Sequence, residues 1–365
     1  MQKGKIENSR PKKACKALSN EGGFILVTVL LVIALLFPLV LAFNSKVQLN
    51  LIQAENFRNS VQALRIAHSG VEGVMGILKE DDAVYDSRKD KWGMAFPGLA
   101  IAEGILNVNT VDEDGKIPIN NLVGIAVDPT AAKETTAKES GIKEASGTVS
   151  KTGTTTEKKV TNDDIDRDLE KRLKSLITRL GGKPEIVDAL IDWLDSNDEV
   201  TGSEGAEDHY YKQQGYRCKN GPLDSLDELL LIKGFDKELV IDAKLKDYLT
   251  IAPTDGKINI NTAPLEVLYA VLGTETTGFA QPLSDSDLEN LAQYREQHEL
   301  TNIQEVTFAV KISQDQAGKM APLIKVNSAF FTVNSRYTIG KVVKNVEALL
   351  KRDGSTVATI SWREF

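Results

Sequence analysis

The sequence predicts an α+β fold: a long N-terminal helix packed on an antiparallel sheet, with an all-α domain inserted between the strands. Three observations predict it. An uncharged apolar run, Phe24 to Phe43, passes without a breaker into helical spacing that lasts to Leu78. The last stretch, Ser328 to Phe365, alternates as strands do, around the turn dipeptide Asp353-Gly354. Between them, Asp163 to Val326 carries helical periodicity, and two copies of Asp-Gly-Lys-Ile-x-Ile-Asn, starting at Asp114 and Asp255, bracket much of it.

The chain has 365 residues and a formal net charge of −8. That length suits two or three structural units. The acidity argues against a nucleic-acid backbone as the main partner. Two cysteines, Cys15 and Cys218, make no disulfide framework.

Phe24 to Phe43 is interrupted only by Thr28 and Pro38, and at 1.5 Å per residue it spans roughly 30 Å, one hydrocarbon core. Lys3, Lys5, Arg10, Lys12, Lys13 and Lys16 precede it against Glu7 and Glu21, a bias that keeps the N-terminus cytoplasmic and sends the rest across the membrane. An ordinary secretory signal places its small residues after the apolar region. Here Gly22-Gly23 come before it. This arrangement resembles the class III signal of type IV pilins and pseudopilins. The resemblance implies a leader over 1–23, cut by a prepilin peptidase between Gly23 and Phe24. A plain signal peptide or anchor is the alternative. The fifth mature residue in such proteins is usually glutamate; here it is Thr28, an absence that resembles the K component of type II secretion and marks a subunit at one end of a filament. Pro38 has no amide proton, so a local kink is expected there.

The helix continues with Val47, Leu51, Ala54, Val61, Leu64, Ala67 and Val71 on one face, and Gly70, Gly73 and Gly76 are expected to weaken its end. Ile101–Asn107 and Val108–Val111 read as short strands, and Asp112 to Lys116 as a hairpin turn. Each Asp-Gly-Lys-Ile copy reads as a strand ending in a helix-capping asparagine. Residues 128–162 are rich in Thr, Lys, Glu, Ala and Gly without an aromatic, a composition expected of a flexible surface insertion.

In the helical middle, Ile165 to Leu180 is one expected helix, ended by Gly181-Gly182, and Pro184 opens the next. The second helix runs into Asp192-Trp193-Leu194-Asp195-Ser196-Asn197-Asp198-Glu199, followed by Glu204-Gly205-Ala206-Glu207-Asp208 and Tyr210-Tyr211. This is the densest group of hard oxygen ligands in the chain. Crowded carboxylates repel unless a cation intervenes, and calcium takes six to eight oxygens. Asp195, Asn197 and Asp198 alternate as loop ligands, and Glu207-Asp208 could close the site. The spacing is not that of an EF-hand. A solvated acidic loop is the alternative meaning of such a run.

Residues 188–235, with Asp-Trp-Leu-Asp, Gly-Ala-Glu-Asp before a tyrosine pair, Asn-Gly-Pro-Leu-x-Ser-Leu-x-Glu-Leu, and later Ile-Asn-Ile-Asn-Thr-Ala, resemble the general secretion pathway protein K family. The resemblance implies a calcium-binding minor pseudopilin: a pilin-like fold with an inserted, sterile α-motif-like helical domain. It implies Ca2+ held chiefly by Asp195, Asp198, Glu207 and Asp208, with Asn197 and Glu204 as further candidates. It also implies a place at the tip of the type II secretion pseudopilus, in the inner membrane with the bulk in the periplasm. Partners would be other minor pseudopilins through the N-terminal helix, the prepilin peptidase, the inner-membrane secretion platform and exported substrates. The expected units are the leader 1–23, a membrane span 24–43, pilin-like parts 44–124 and 327–365, and the helical insertion 125–326. A minor pilin of a type IV pilus is the alternative within the same class.

Two other classes receive less support. Asn259-Ile260-Asn261-Thr262-Ala263 before an amphipathic helix also opens helix-hairpin-helix DNA-binding modules. The hairpin here, Leu272 to Gly278, lacks Gly-x-Gly and carries Glu275, which a phosphate would repel. An enzyme would need a constellation that His68, His209 and His298 do not form by spacing. The sequence therefore predicts neither catalysis nor nucleic-acid binding. At the C-terminus, Phe330–Ile339, Val342–Arg352 and Val357–Trp362 are expected to form an antiparallel meander, which three strands alone hold only marginally.

Overall fold

The computed structural model describes residues 21–124 and 165–365, so most of the expected leader and the whole of 128–162 lie outside the described residues. The chain divides into two compact units, Met1–Val61 and Gln62–Phe365. Helix α1, Glu21–Glu80, begins in the first and ends in the second.

In the first unit, Phe24 to Phe43 expose their apolar side chains along the helix, which is long and apolar enough to cross a membrane. Thr28 Oγ1 donates to the Phe24 carbonyl at 2.8 Å, so its hydroxyl is satisfied inside the helix. The helix continues through Pro38.

In the second unit, the last turns of α1 bury Ala63, Ala67, Val71, Val74 and Leu78. They pack on a five-stranded sheet of β1 (Phe96–Ile101), β2 (Gly104–Asp112), β7 (Phe330–Ile339), β8 (Val342–Asp353) and β9 (Thr356–Glu364), in that spatial order and antiparallel throughout. Alternation sets the inner face: Phe331, Val333 and Tyr337 of β7 and Val346, Ala348 and Leu350 of β8 point to the helix. Fully burying a Val, Leu or Phe side chain, as at Val333, Leu350 and Phe331, contributes about 1.5–3 kcal/mol. Trp92 closes one end against Phe331, ring edge to face at 4.9 Å between centroids. Helix α1 runs through Gly70, Gly73 and Gly76 to Glu80. A Cβ at Gly70 would lie 2.2 Å from Ser335 Oγ, so glycine is what lets helix and sheet approach.

The three C-terminal strands form where the alternation predicts. The N-terminal strands do not. One strand, β2, covers most of the two expected over 101–111, and the chain turns at Ala102, whose φ is +50°. The expected hairpin at Asp114-Gly115 does not form either. Strand β2 pairs with β7, from Ile105 opposite Thr338 to Asp112 opposite Phe331. The Asp114 carboxylate takes the amides of Ala329 and Phe330 at 2.6 and 3.0 Å, which turns the chain off the sheet.

From there the chain makes β3 (Ile117–Pro118), helices α2 (Arg167–Arg179), α3 (Ile186–Leu194), α4 (Asp208–Gln213) and α5 (Leu245–Tyr248), and β4 (Leu249–Thr250), which pairs parallel with β3. It then repeats the plan: β5 (Ile258–Asn259), helices α6 (Leu265–Leu272), α7 (Asp285–Gln297), α8 (Val306–Ala309) and α9 (Gln314–Lys319), and β6 (Ile324–Lys325), parallel to β5. Each Asp-Gly-Lys-Ile copy thus opens a helical module that a short parallel strand closes. Both modules share one core, from Ile117 through Trp193 and Leu268 to Ile324. Asn259 ties this part to the sheet: its Nδ2 lies within hydrogen-bond distance of the Asp86 carbonyl, Asp112 Oδ2 and Ser328 Oγ, at 3.1, 3.0 and 2.7 Å.

Candidate metal centre

Helix α3 buries every residue from Ile186 to Leu194, including Asp188 and Asp192. Period 3.6 puts Asp188, Asp192 and Asp195 on one side, with Asp195 as the C-cap. The loop 201–207 folds back over that side. Thr201 N–H donates to Asp192 Oδ1 at 2.9 Å, and Ser203 N–H to Asp188 Oδ2 at 3.1 Å. Gly205 is required by the approach: a Cβ there would stand 2.5 Å from Asp192 Oδ2. Trp193 packs edge to face on Tyr211 at 5.0 Å and backs the loop.

The carboxylates of this loop divide into two sets. Asp192, Asp195 and Glu207 are buried, at 0, 1 and 5% exposure. Asp192 Oδ2, Asp195 Oδ2 and both Glu207 carboxylate oxygens have no hydrogen-bond partner, and nor does the nearby Asn220 Oδ1. Burial, then the charges of Asp192, Asp195 and Asp198, push the Glu207 carboxyl up to about 8. Burial foremost pushes Asp195 to about 6 and raises Asp192. Buried acceptors without donors cost free energy, which a bound cation would relieve. Asn197, also buried, shapes the turn: its N–H donates to Asp195 Oδ1 at 3.1 Å and its Oδ1 accepts from Glu199 N–H at 2.7 Å. Asp198 is exposed but close enough to raise both Asp195 and Glu207.

The other two candidates, Asp208 and Glu204, lie against lysines. Asp208 Oδ2 is 2.9 Å from Lys212 Nζ, and the pairing holds its carboxyl below the usual range. Glu204 is exposed and lies 3.1 Å from Lys233 Nζ. Asp192, which the sequence reading left out of the ligand set, is the most buried of the acids. Its place three residues before Asp195 on an apolar helix was the signal for it. The oxygen-only donor set fits a hard cation such as calcium and not zinc. A separate acidic cluster, Asp81, Asp86 and Asp90, has ligand atoms within 4.8 Å of one another and could hold a metal ion.

A long N-terminal helix on an antiparallel sheet, with helices inserted between strands β2 and β7, puts the chain in the pilin-like class. Residues 106–254 match the family model described as type II secretion system (T2SS), protein K. Type II secretion system protein K of Pseudomonas aeruginosa is 29% identical over 195 residues, 50% of this chain and 56% of that protein. The match thus spans little more than half the length of that curated relative. The GspK-GspI-GspJ complex from the enterotoxigenic Escherichia coli type 2 secretion system contains a chain alike in fold, with TM-score 0.61 and 17% identity, covering 86% of this chain and 99% of that one. Over these spans the chain is similar to protein K of type II secretion.

Proposed function

We propose that the chain is a minor pseudopilin at the tip of a type II secretion pseudopilus, a structural part of the apparatus that exports folded proteins across the outer membrane. The observation that carries the reading is the family match over 106–254 within a pilin-like fold. The apolar start of α1 anchors it in the inner membrane, and the sheet and helical modules lie in the periplasm. The prepilin peptidase cuts between Gly23 and Phe24. Neighbouring minor pseudopilins pack beside α1, and a secretion platform in the inner membrane drives assembly. Thr28 supports the tip position: its hydroxyl is spent on Phe24 of its own helix, so the helix carries no carboxylate there for a neighbour's terminal amine. The bulk of the helical modules suits a cap better than a repeating shaft subunit.

Within this reading the loop after α3 holds calcium. Asp192, Asp195 and Glu207 supply carboxylates, with Asp198 at the rim and Asn197 shaping the turn. The ion would neutralise the buried charge and fix the 195–207 loop, a structural role. The mature N-terminus, read by mass spectrometry of the protein made in a secreting host, tests the pathway. A chain beginning at Phe24 is expected. A start near Ala42 would overturn the reading in favour of an ordinary signal peptide.

A further inference from the structure

We propose a second divalent-cation site, of the calcium class, at the junction where α1 ends, formed by Asp81, Asp86 and Asp90. It stands on different residues from the loop after α3 and does not rest on that reading. One ligand atom from each of the three carboxylates lies within 4.8 Å of the other two, without histidine or cysteine among them. An oxygen-only set at that spacing suits a hard cation that gathers several oxygens.

A cluster of acids alone would not make a site, since such clusters are often solvated. The second observation concerns Asp86. It is fully buried, and its Oδ1 has no hydrogen-bond partner, whereas Oδ2 accepts from Ser328 N–H at 2.7 Å and from Arg352. A buried carboxylate oxygen facing no donor is costly unless a ligand takes it. The charge count agrees. Arg352 reaches Asp86 and, at 3.3 Å, Asp81. Asp90 accepts from Ser87, its N–H at 2.6 Å, and has no salt bridge to a basic side chain among the described residues. Three carboxylates against one guanidinium leave an excess of negative charge, to which Glu299 adds, and a divalent ion would offset most of it. Glu299 lies beside the cluster, accepting from Tyr85 and Ser87 hydroxyls at 3.3 and 3.0 Å, and raises Asp90 further.

The position gives the ion its role. Asp81 directly follows α1, Asp86 is bonded to Ser328 at the start of β7 and to Arg352 of β8, and Glu299 belongs to the second helical module. An ion here would fasten the end of the helix to the sheet and to the inserted helices.

The test is calcium stoichiometry of the full chain in detergent, by equilibrium dialysis with radioactive calcium, for the wild type, Asp90→Asn and Glu207→Gln. Asp90→Asn is chosen because it leaves the Arg352 pairs intact; circular dichroism in chelator checks that it folds. The expected result is one calcium fewer per chain, or at least a tenfold weaker Kd for one ion, in Asp90→Asn, with binding at the loop after α3 retained. Should Asp90→Asn fail to fold, Asp81→Asn is measured in its place, with the same expectation. Stoichiometry and affinity unchanged from wild type would overturn the proposal. Loss only in Glu207→Gln would also overturn it while leaving the other site standing. Loss in Asp90→Asn with none in Glu207→Gln would support this site and count against the other.

Discussion

Replacing Glu207 with glutamine should stabilise the chain in chelator and weaken its response to calcium. The two effects have one cause. Without a cation, Glu207 is a buried carboxyl whose two oxygens have no donor, shifted to about 8 from an ordinary 4.5. At pH 7 that shift corresponds to a ceiling of roughly 3.4 kcal/mol at 1.36 kcal/mol per pKa unit. Water reaching the loop screens part of it, so a working figure is ~2 kcal/mol. Glutamine has the same shape without the charge and relieves most of this, raising the melting temperature in chelator by about 3–6 °C. With calcium present, the wild type gains RT ln(1 + [Ca2+]/Kd), and the variant, lacking one anionic ligand, gains less. The assay is thermal unfolding of the full chain in detergent, followed by circular dichroism with excess chelator and with millimolar calcium. A variant that melts lower than the wild type in chelator and keeps the whole calcium increment would refute the reasoning.

Calcium affinity should strengthen as pH rises. Both raised carboxyls, Asp195 at about 6 and Glu207 at about 8, hold protons that the ion must displace, so Kd measured by dialysis should fall at least tenfold from pH 6 to pH 8. Gly70→Ala should destabilise by about 1–3 kcal/mol in urea unfolding, because its Cβ would meet Ser335 Oγ, and Ser335→Ala should recover part of the loss in the double variant. Asn259→Ala should cost about 2–4 kcal/mol, since it strips partners from the buried Asp112, Ser328 and Asp86 carbonyl together; a loss below 0.5 kcal/mol would mean that the network is not holding sheet and helices.

The acidic loop was legible as a ligand-rich stretch, but its division into two sets was only partly so. Lys212 four residues after Asp208 on a helix is a local pair that the sequence could have offered. Glu204 meeting Lys233, 29 residues on, could not be read that way. Asp192 looked like one acid in an apolar helix; only the return of the 201–207 loop makes it a buried, half-partnered carboxylate. At the end of α1, Asp81, Asp86 and Asp90 lie in a stretch with no periodicity to attract notice. Arg352 and Ser328, from far along the chain, give that cluster its charge and its burial.

The sequence by itself determined the elements whose signals are local: the apolar helix, the three alternating C-terminal strands with their Asp353-Gly354 turn, the helical middle, and the two Asp-Gly-Lys-Ile starts. Side-chain period and turn chemistry are properties of neighbouring residues, so they survive without knowledge of the fold. Tertiary structure alone decided the partners. Asp114-Gly115 had the chemistry of a hairpin, yet β2 pairs with β7, more than 200 residues away, and each Asp-Gly-Lys-Ile strand pairs parallel with a distant two-residue strand. A short polar turn is compatible with several pairings. Which one forms depends on where burial of the whole core brings the backbone and on which amides remain to be satisfied there. Here those were Ala329 and Phe330, and the Asp114 carboxylate took them.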